Sequence, residues 1–242
     1  MQQVTLIDDG FDFKVVVLDD AWVVRVPRRE GVLAAFETEI ALLPVLAGTL
    51  PVDVPRFEHA SRNPPFAIYQ LIRGTPLVDE DPVGVRAFLE SLHSLEVATL
   101  PVEPVNWVES YKAQCGAFEE LVFPLLNDAV RRKARALFDE VDSLTGFEPA
   151  LIHSDLGAEH MLVRDGLLAG VIDWGDTRIG DPALDYSWLL HGPFPDWDVD
   201  PELRRRAHFY HRLAPFFSVH YGIFTKQPDY VERALATLSS RL

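Results

Sequence analysis

A chain of 242 residues, 48% hydrophobic and 24% charged, is long enough for one large domain or two small lobes with a sizeable core. Its 22 basic and 37 acidic side chains leave a net charge of −15, which argues against nucleic acid as a partner, because that surface needs basic residues to displace counterions. A single cysteine, Cys115, excludes an intrachain disulfide, and no apolar run approaches the roughly 18 residues of a membrane span.

The N-terminus has neither the basic region nor the apolar core of a signal peptide. A cytoplasmic protein without a membrane role is therefore expected, and no protein partner is implied. The acidity suits either a cationic small molecule drawn to an acidic cleft or plain solubility.

Phe13–Leu18 and Trp22–Val26 are β-branched runs parted by Asp19-Asp20, the outline of a hairpin. From Gly31 to Ala47 an apolar stripe of Leu33, Phe36, Ile40, Leu43 and Leu46 predicts a helix. Pro44 predicts a kink or an early end to it. Phe66–Ile72 reads as a further strand, closed by Arg73-Gly74-Thr75-Pro76. The chain then turns helical, most clearly over Val85–Leu95 and Trp107–Val141. The lobe boundary falls near residues 70–76, giving lobes of 1–72 and 73–242. No internal repeat and no low-complexity segment is present.

The most informative stretch is His153-Ser-Asp155-Leu-Gly-Ala-Glu-His160, followed by Ile172-Asp173-Trp-Gly-Asp176. Between its two parts, Met161–Val163 and Leu168–Ile172 are apolar runs joined by Arg164-Asp165-Gly166, a strong short-range hairpin signal. Folding back would bring Asp155, His160 and Asp173 to one end of that hairpin. Two carboxylates with a metal-capable side chain between them are what phosphoryl transfer asks for. One orients a hydroxyl, and the others hold Mg²⁺ against a nucleoside triphosphate.

The same stretch resembles the catalytic and metal-binding loops of the antibiotic kinases, which are relatives of the protein kinases. His153-Ser-Asp155 stands for the catalytic loop, His160 for its asparagine and Asp173-Trp-Gly175 for the metal-binding loop, with Ile179-Gly-Asp181-Pro-Ala-Leu-Asp185 as the following tail. Trp22-Val-Val-Arg-Val-Pro-Arg-Arg29, Leu50-Pro-Val-Asp-Val-Pro55 and His160 look like macrolide 2′-phosphotransferases in particular. Histidine at the metal position is shared with aminoglycoside 2″-phosphotransferases.

The resemblance implies an α+β, bilobal protein-kinase-like fold. A β-rich N-terminal lobe would bind the nucleotide, and a mainly helical C-terminal lobe would bind substrate and carry catalysis. It implies Asp155 as the catalytic base and Asp173 with His160 on Mg²⁺. Arg25 would replace the usual lysine on the phosphates, braced by Glu39 on the polar side of its helix, with Glu37 as a possible substitute. Backbone groups of Gln70 and Ile72 would meet the base of ATP or GTP, and Gly10-Phe-Asp-Phe13 would form the turn over the phosphates. His153, Asp181 and Asp185 fall to architectural roles, since buried polar groups must be satisfied.

The acceptor implied is a hydroxyl of a macrolide or aminoglycoside antibiotic. A cellular metabolite such as an amino alcohol or sugar is the alternative, and a nucleotide-binding pseudokinase is the rival class. His93 reads as a bracing residue on a helix and Cys115 as a packed thiol. Trp188–Trp197 reads as a loop that ordinary packing explains and that is also able to touch substrate.

Overall fold

The computed structural model describes residues 3–7, 12–78 and 82–242. The chain divides into two compact units, Met1–Glu103 with Ala150–Ile179, and Pro104–Pro149 with Gly180–Leu242. This division is discontinuous in sequence. The boundary expected near residues 70–76 follows a change in element type: β5 ends at Gln70, a two-residue strand follows at Thr75–Pro76, and the next helix begins at Val85.

The first unit is built on an antiparallel sheet ordered β1-β2-β3-β5-β4, with β1 at Val4–Ile7, β2 at Phe13–Leu18, β3 at Trp22–Pro27, β4 at Phe57–Arg62 and β5 at Pro65–Gln70. Leu18 pairs with Trp22, and the three-residue turn between them, Asp19-Asp20-Ala21, places both aspartates at positive φ, a conformation that aspartate tolerates better than most side chains. The register Val15↔Arg25↔Ala67 and the period of two place Phe13, Val15, Val17, Val23, Arg25, Ala67 and Tyr69 on one face. Helix α1, Leu33–Leu46, covers part of that face, with Phe36 joining Phe13, Val32 and Ala67 in a buried cluster. Arg25 is thereby a cation on a core-facing position. The helix runs through Pro44 and stops two residues later, because a proline in the last turn removes only a terminal backbone bond. Strand β4, Phe-Glu-His-Ala-Ser-Arg, has no β-branched residue to mark it in the sequence, while β1, Val-Thr-Leu-Ile, is a run of only four residues.

A second sheet, ordered β6-β8-β9, consists of β6 at Thr75–Pro76, β8 at Met161–Arg164 and β9 at Leu167–Val171. The expected hairpin is β8–β9, turned at Asp165 and Gly166, both at positive φ. Gly170 lets the chain come close: a Cβ there would stand 2.4 Å from Ile72 Cγ2 and 3.1 Å from the Asp53 carbonyl oxygen. Strand β7, Ala150–Ile152, is wholly buried and leads into the loop that bears Asp155. Helix α2, Val85–His93, lies against it.

The second unit is helical: α3 Trp107–Leu121, α4 Asp128–Asp139, α5 Ala183–Leu189, α6 Pro201–Phe224 and α7 Pro228–Arg241. The segment expected over Trp107–Val141 is two helices. Pro124 lies in the break, and the Asn127 side chain accepts from the N–H groups of Ala129 and Val130, which starts α4 afresh. Trp188 belongs to the end of α5, and Phe194 is buried with its ring stacked on Trp197 at 4.2 Å. Packing rather than substrate contact accounts for that part of the loop. The architectural role of Asp181 has a physical basis. It accepts from Ala183 N at 3.0 Å, Arg206 Nε at 2.7 Å and Tyr210 Oη at 2.9 Å.

Three histidines meet beside α6. His191 Nδ1 donates to the Ser187 carbonyl at 2.8 Å, its Nε2 lies 3.0 Å from His208 Nδ1, and its ring stacks on His211 at 4.0 Å. Burial, with Arg241, His191 and His208 nearby, pushes His211 down from 6.5 to about 3. Below pH 6.5 the unfolded chain therefore takes up a proton that the folded chain refuses. This contribution to stability is complete above 6.5 and is lost as pH falls toward 3. The melting temperature should fall over that window, with a shallower slope in His211→Gln. Equal slopes for the two proteins in thermal unfolding at matched pH would refute the assignment.

Candidate active site

The site residues expected from the sequence all belong to the first unit. His153 holds the two loops together: its Nε2 donates to the Ile172 carbonyl at 3.0 Å, and its ring meets Trp174 edge-on at 4.8 Å. Trp174 is fully buried and donates from Nε1 to the Val171 carbonyl at 3.0 Å. Ser154 and Asp173 have φ of 72° and 66°. Left-handed backbone at a non-glycine residue costs on the order of 1 kcal/mol or more and persists only where the surroundings impose it. Here it turns each loop so that an aspartate is presented.

The Asp155 side chain is 63% exposed and that of Asp173 47% exposed, so both face solvent. His160 stands between them. Its Nδ1 donates to the Asp155 carbonyl at 2.6 Å, which leaves a lone pair on Nε2. That Nε2 lies 3.7 Å from Asp173 Oδ2. Two acceptors thus face each other, and a cation between them would satisfy both.

Arg25 lies on the other side of Asp173. Its Nη2 is 3.2 Å from Asp173 Oδ1, its Nη1 is 2.8 Å from Glu39 Oε1, and its guanidinium sits 3.9 Å over the Phe13 ring. Glu39 is fully buried, not on the polar side of α1 as expected. The helix turns it inward because Arg25 and the Trp174 N–H, 3.2 Å away, both reach Oε1. Its Oε2 has no hydrogen-bond partner among the described residues. Glu37 is no substitute, since it pairs with Arg62 at 2.7 Å.

Burial by itself would lower the Arg25 pKa, but Glu39 and Asp173 raise it overall, so the guanidinium stays charged. Burial raises Glu39, while Arg25 opposes the rise. An arginine cannot give up its proton in a protein, so the pair is read as an ion pair. Tyr69 is pushed up to about 12, by burial first, and remains a neutral phenol. Asp176 is raised by burial and then by the Asp155 charge.

Gln70 pairs with Trp22 at the end of β5, and the next residue, Leu71, donates its N–H to the Ala21 carbonyl at 2.8 Å. Hydrogen bonds alternate along an antiparallel pair, so the backbone groups of Gln70 and of Ile72, two residues on, turn away from β3. They face the side where β4 has already ended, opposite Tyr69. Gly10 and Phe11, expected over the phosphates, lie outside the described residues. Asp12 after them pairs with Arg29 at 2.5 Å. The bond from Trp174 N–H to Glu39 and the Phe13 ring under Arg25 were missed in the sequence; the tryptophan after Asp173 was the only available signal.

Asp173 Oδ2 and His160 Nε2, 3.7 Å apart, fit as two donors to one Mg²⁺. Neighbouring ligands of an octahedral ion stand about 3 Å apart at bonds of about 2.1 Å, a short closure from the observed spacing. A metal-binding histidine commonly donates its other ring N–H to a carbonyl or carboxylate, and His160 does so. Among the described residues no three His, Cys, Asp or Glu side chains gather to hold a metal alone. Mg²⁺ does not require that, since it usually keeps waters and takes phosphate oxygens beside one or two protein groups.

The model of a phosphotransferase enzyme family, APH, matches residues 3–219. Viomycin phosphotransferase of Streptomyces vinaceus is 32% identical over 144 residues, 52% of this chain and 49% of that protein. The chain thus matches about half the length of that curated relative. Among solved structures, the GDP and kanamycin complex of APH(2″)-IIia is 24% identical at a TM-score of 0.87, covering 99% of this chain and 92% of that one. Apo macrolide 2′-phosphotransferase from Brachybacterium faecium is 23% identical at 0.76, covering 98% and 92%. These likenesses establish the kinase-like fold. No helix among the described residues is long and apolar enough to cross a membrane.

Proposed function

The chain belongs to the phosphotransferase enzyme family, and on that premise we propose that it moves the γ-phosphoryl group of ATP or GTP to a hydroxyl of a cationic antibiotic. The observation that carries the reading is the meeting of Arg25, Asp173, His160 and Asp155. A fixed cation, two acceptors facing one point and an exposed carboxylate stand side by side. In this reading residues 1–72 supply the nucleotide side, and 73–242 supply catalysis and the acceptor side.

Asp155 accepts a hydrogen bond from the acceptor hydroxyl and takes its proton as that oxygen bonds to phosphorus. The bond from the γ-phosphorus to the bridging oxygen breaks, and the nucleoside diphosphate leaves. Arg25 grips phosphate oxygens with a planar, permanently charged fork, held in place by Glu39 and Phe13. Gln70 and Ile72 offer backbone groups to the base. Mg²⁺, held by Asp173 and His160, would neutralise charge on the phosphates.

The acceptor class rests on the relatives' substrates together with the −15 charge. Viomycin, kanamycin, a macrolide, an amino alcohol and a neutral sugar, each with ATP or GTP and Mg²⁺, form the test panel. Mass spectrometry should find one phosphoryl group on an antibiotic. The absence of both a phosphorylated product and nucleotide turnover across the whole panel would refute the proposal.

Attraction between exposed charges is screened beyond about 8 Å at physiological salt. The acceptor kcat/KM should therefore fall as NaCl rises, mainly through KM, while the KM for anionic nucleotide does not rise in parallel. Salt-independent acceptor kinetics would remove charge as a reason for the antibiotic class.

A further inference from the structure

Helix α6 carries Pro215 in its interior. Proline has no N–H, so the His211 carbonyl four residues earlier lacks its helical partner. Arg241, at the far end of α7, supplies one: its Nη1 donates to that carbonyl at 3.1 Å. The bond pins a guanidinium at the edge of a cavity of about 220 Å³ between α6 and α7. Pro215 and Ser218 line one wall; Tyr230, Arg233 and Thr237 line the other. The Arg233 guanidinium lies 5.8 Å from the centre of the Tyr230 ring.

In a chain with 37 acidic side chains, no aspartate or glutamate lines this cavity. Arg233 and Arg241 have no ion-pair partner among the described residues, and the hydroxyls of Ser218 and Tyr230 have no hydrogen-bond partner there. Burial alone lowers Arg241, with no carboxylate to offset it. Two guanidinium groups, which can only donate, and two hydroxyls, which can donate, therefore give the cavity positive and neutral donors with no negative charge beside them. Guanidinium matches tetrahedral oxoanions two bonds at a time. The volume lies below the roughly 300–1,000 Å³ of pockets that enclose drug-sized ligands, which favours a single group over a nucleotide.

We propose that this cavity binds one phosphate group, free or as a monoester. The residues of the candidate active site all belong to the other compact unit, so this site and that one can fail independently. The test is calorimetric titration of the full chain with inorganic phosphate and, separately, glycerol 3-phosphate, with KCl holding ionic strength constant. Saturable binding is expected, weakened at least about tenfold in Arg233→Gln, which loses a charge-assisted fork.

Arg241→Lys keeps a donor for the His211 carbonyl and should weaken binding less. Arg56→Gln, an exposed position in the other unit, should leave binding unchanged. Tighter binding of glycerol 3-phosphate would assign a monoester, and equal or weaker binding the free ion; either supports the site. No saturable heat beyond the KCl control, or binding untouched by Arg233→Gln, would overturn it.

Discussion

Replacing Asp155 by Asn should lower kcat by about 10²–10⁴-fold, the span ordinarily contributed by a positioned general base, while nucleotide affinity stays within a few-fold. The change keeps the shape of the side chain and removes its ability to take a proton. It should not disturb the fold, because the side chain is 63% exposed and its carboxylate makes only a long 3.7 Å contact with His160. The loop is held by the Asp155 carbonyl and by His153, both retained. Steady-state release of nucleoside diphosphate gives kcat, and titration with nucleotide gives affinity. A variant retaining more than a tenth of wild-type turnover would take Asp155 out of the role.

Asp173→Ala should abolish Mg²⁺-dependent nucleotide binding, a loss of roughly 100-fold or more when the carboxylate that would hold the ion against the phosphates is removed. Arg25 would keep its buried partner, Glu39, at 2.8 Å. The ion pair that Asp173 loses is the half-exposed one at 3.2 Å, and such pairs contribute about 1 kcal/mol or less. Unfolding should therefore change little while binding collapses, which separates a metal role from a structural one. His160→Ala should weaken binding less, by about 10–100-fold, and His160→Asn should retain activity through its oxygen donor. Nucleotide titrations with and without Mg²⁺ measure all three. Unchanged Mg²⁺ dependence in Asp173→Ala would refute the assignment, and an Asn variant as inactive as the Ala variant would give the imidazole a specific task.

The β8–β9 hairpin, the β2–β3 hairpin and the span of α1 were legible because their signals are local. Asp-Gly and Asp-Asp take positive φ, and apolar residues repeat at the period of their element. The break within Trp107–Val141 is also written locally, in Pro124 and Asn127, but the helical period continues on either side of it and masks it. The cavity between α6 and α7 was not legible, because nothing near Arg233 or Arg241 in sequence says that both line it.

Glu39 shows most clearly where the sequence stops. Seen against the apolar stripe of its own helix, a glutamate belongs on the wet side, because a buried charge without a partner is strongly unfavourable. Its partners come from elsewhere: Arg25 from a strand 14 positions earlier and the Trp174 N–H from a loop 135 positions later. Residue types and spacing singled out His153–His160 and Ile172–Asp176, and the resemblance those segments carry pointed to the family whose model matches residues 3–219. Only tertiary contact decided that Glu39 turns inward, that Glu37 is taken by Arg62, and that the Nε2 lone pair of His160 faces Asp173. Each of those outcomes depends on which distant group desolvates or donates to the residue, and no local period encodes that.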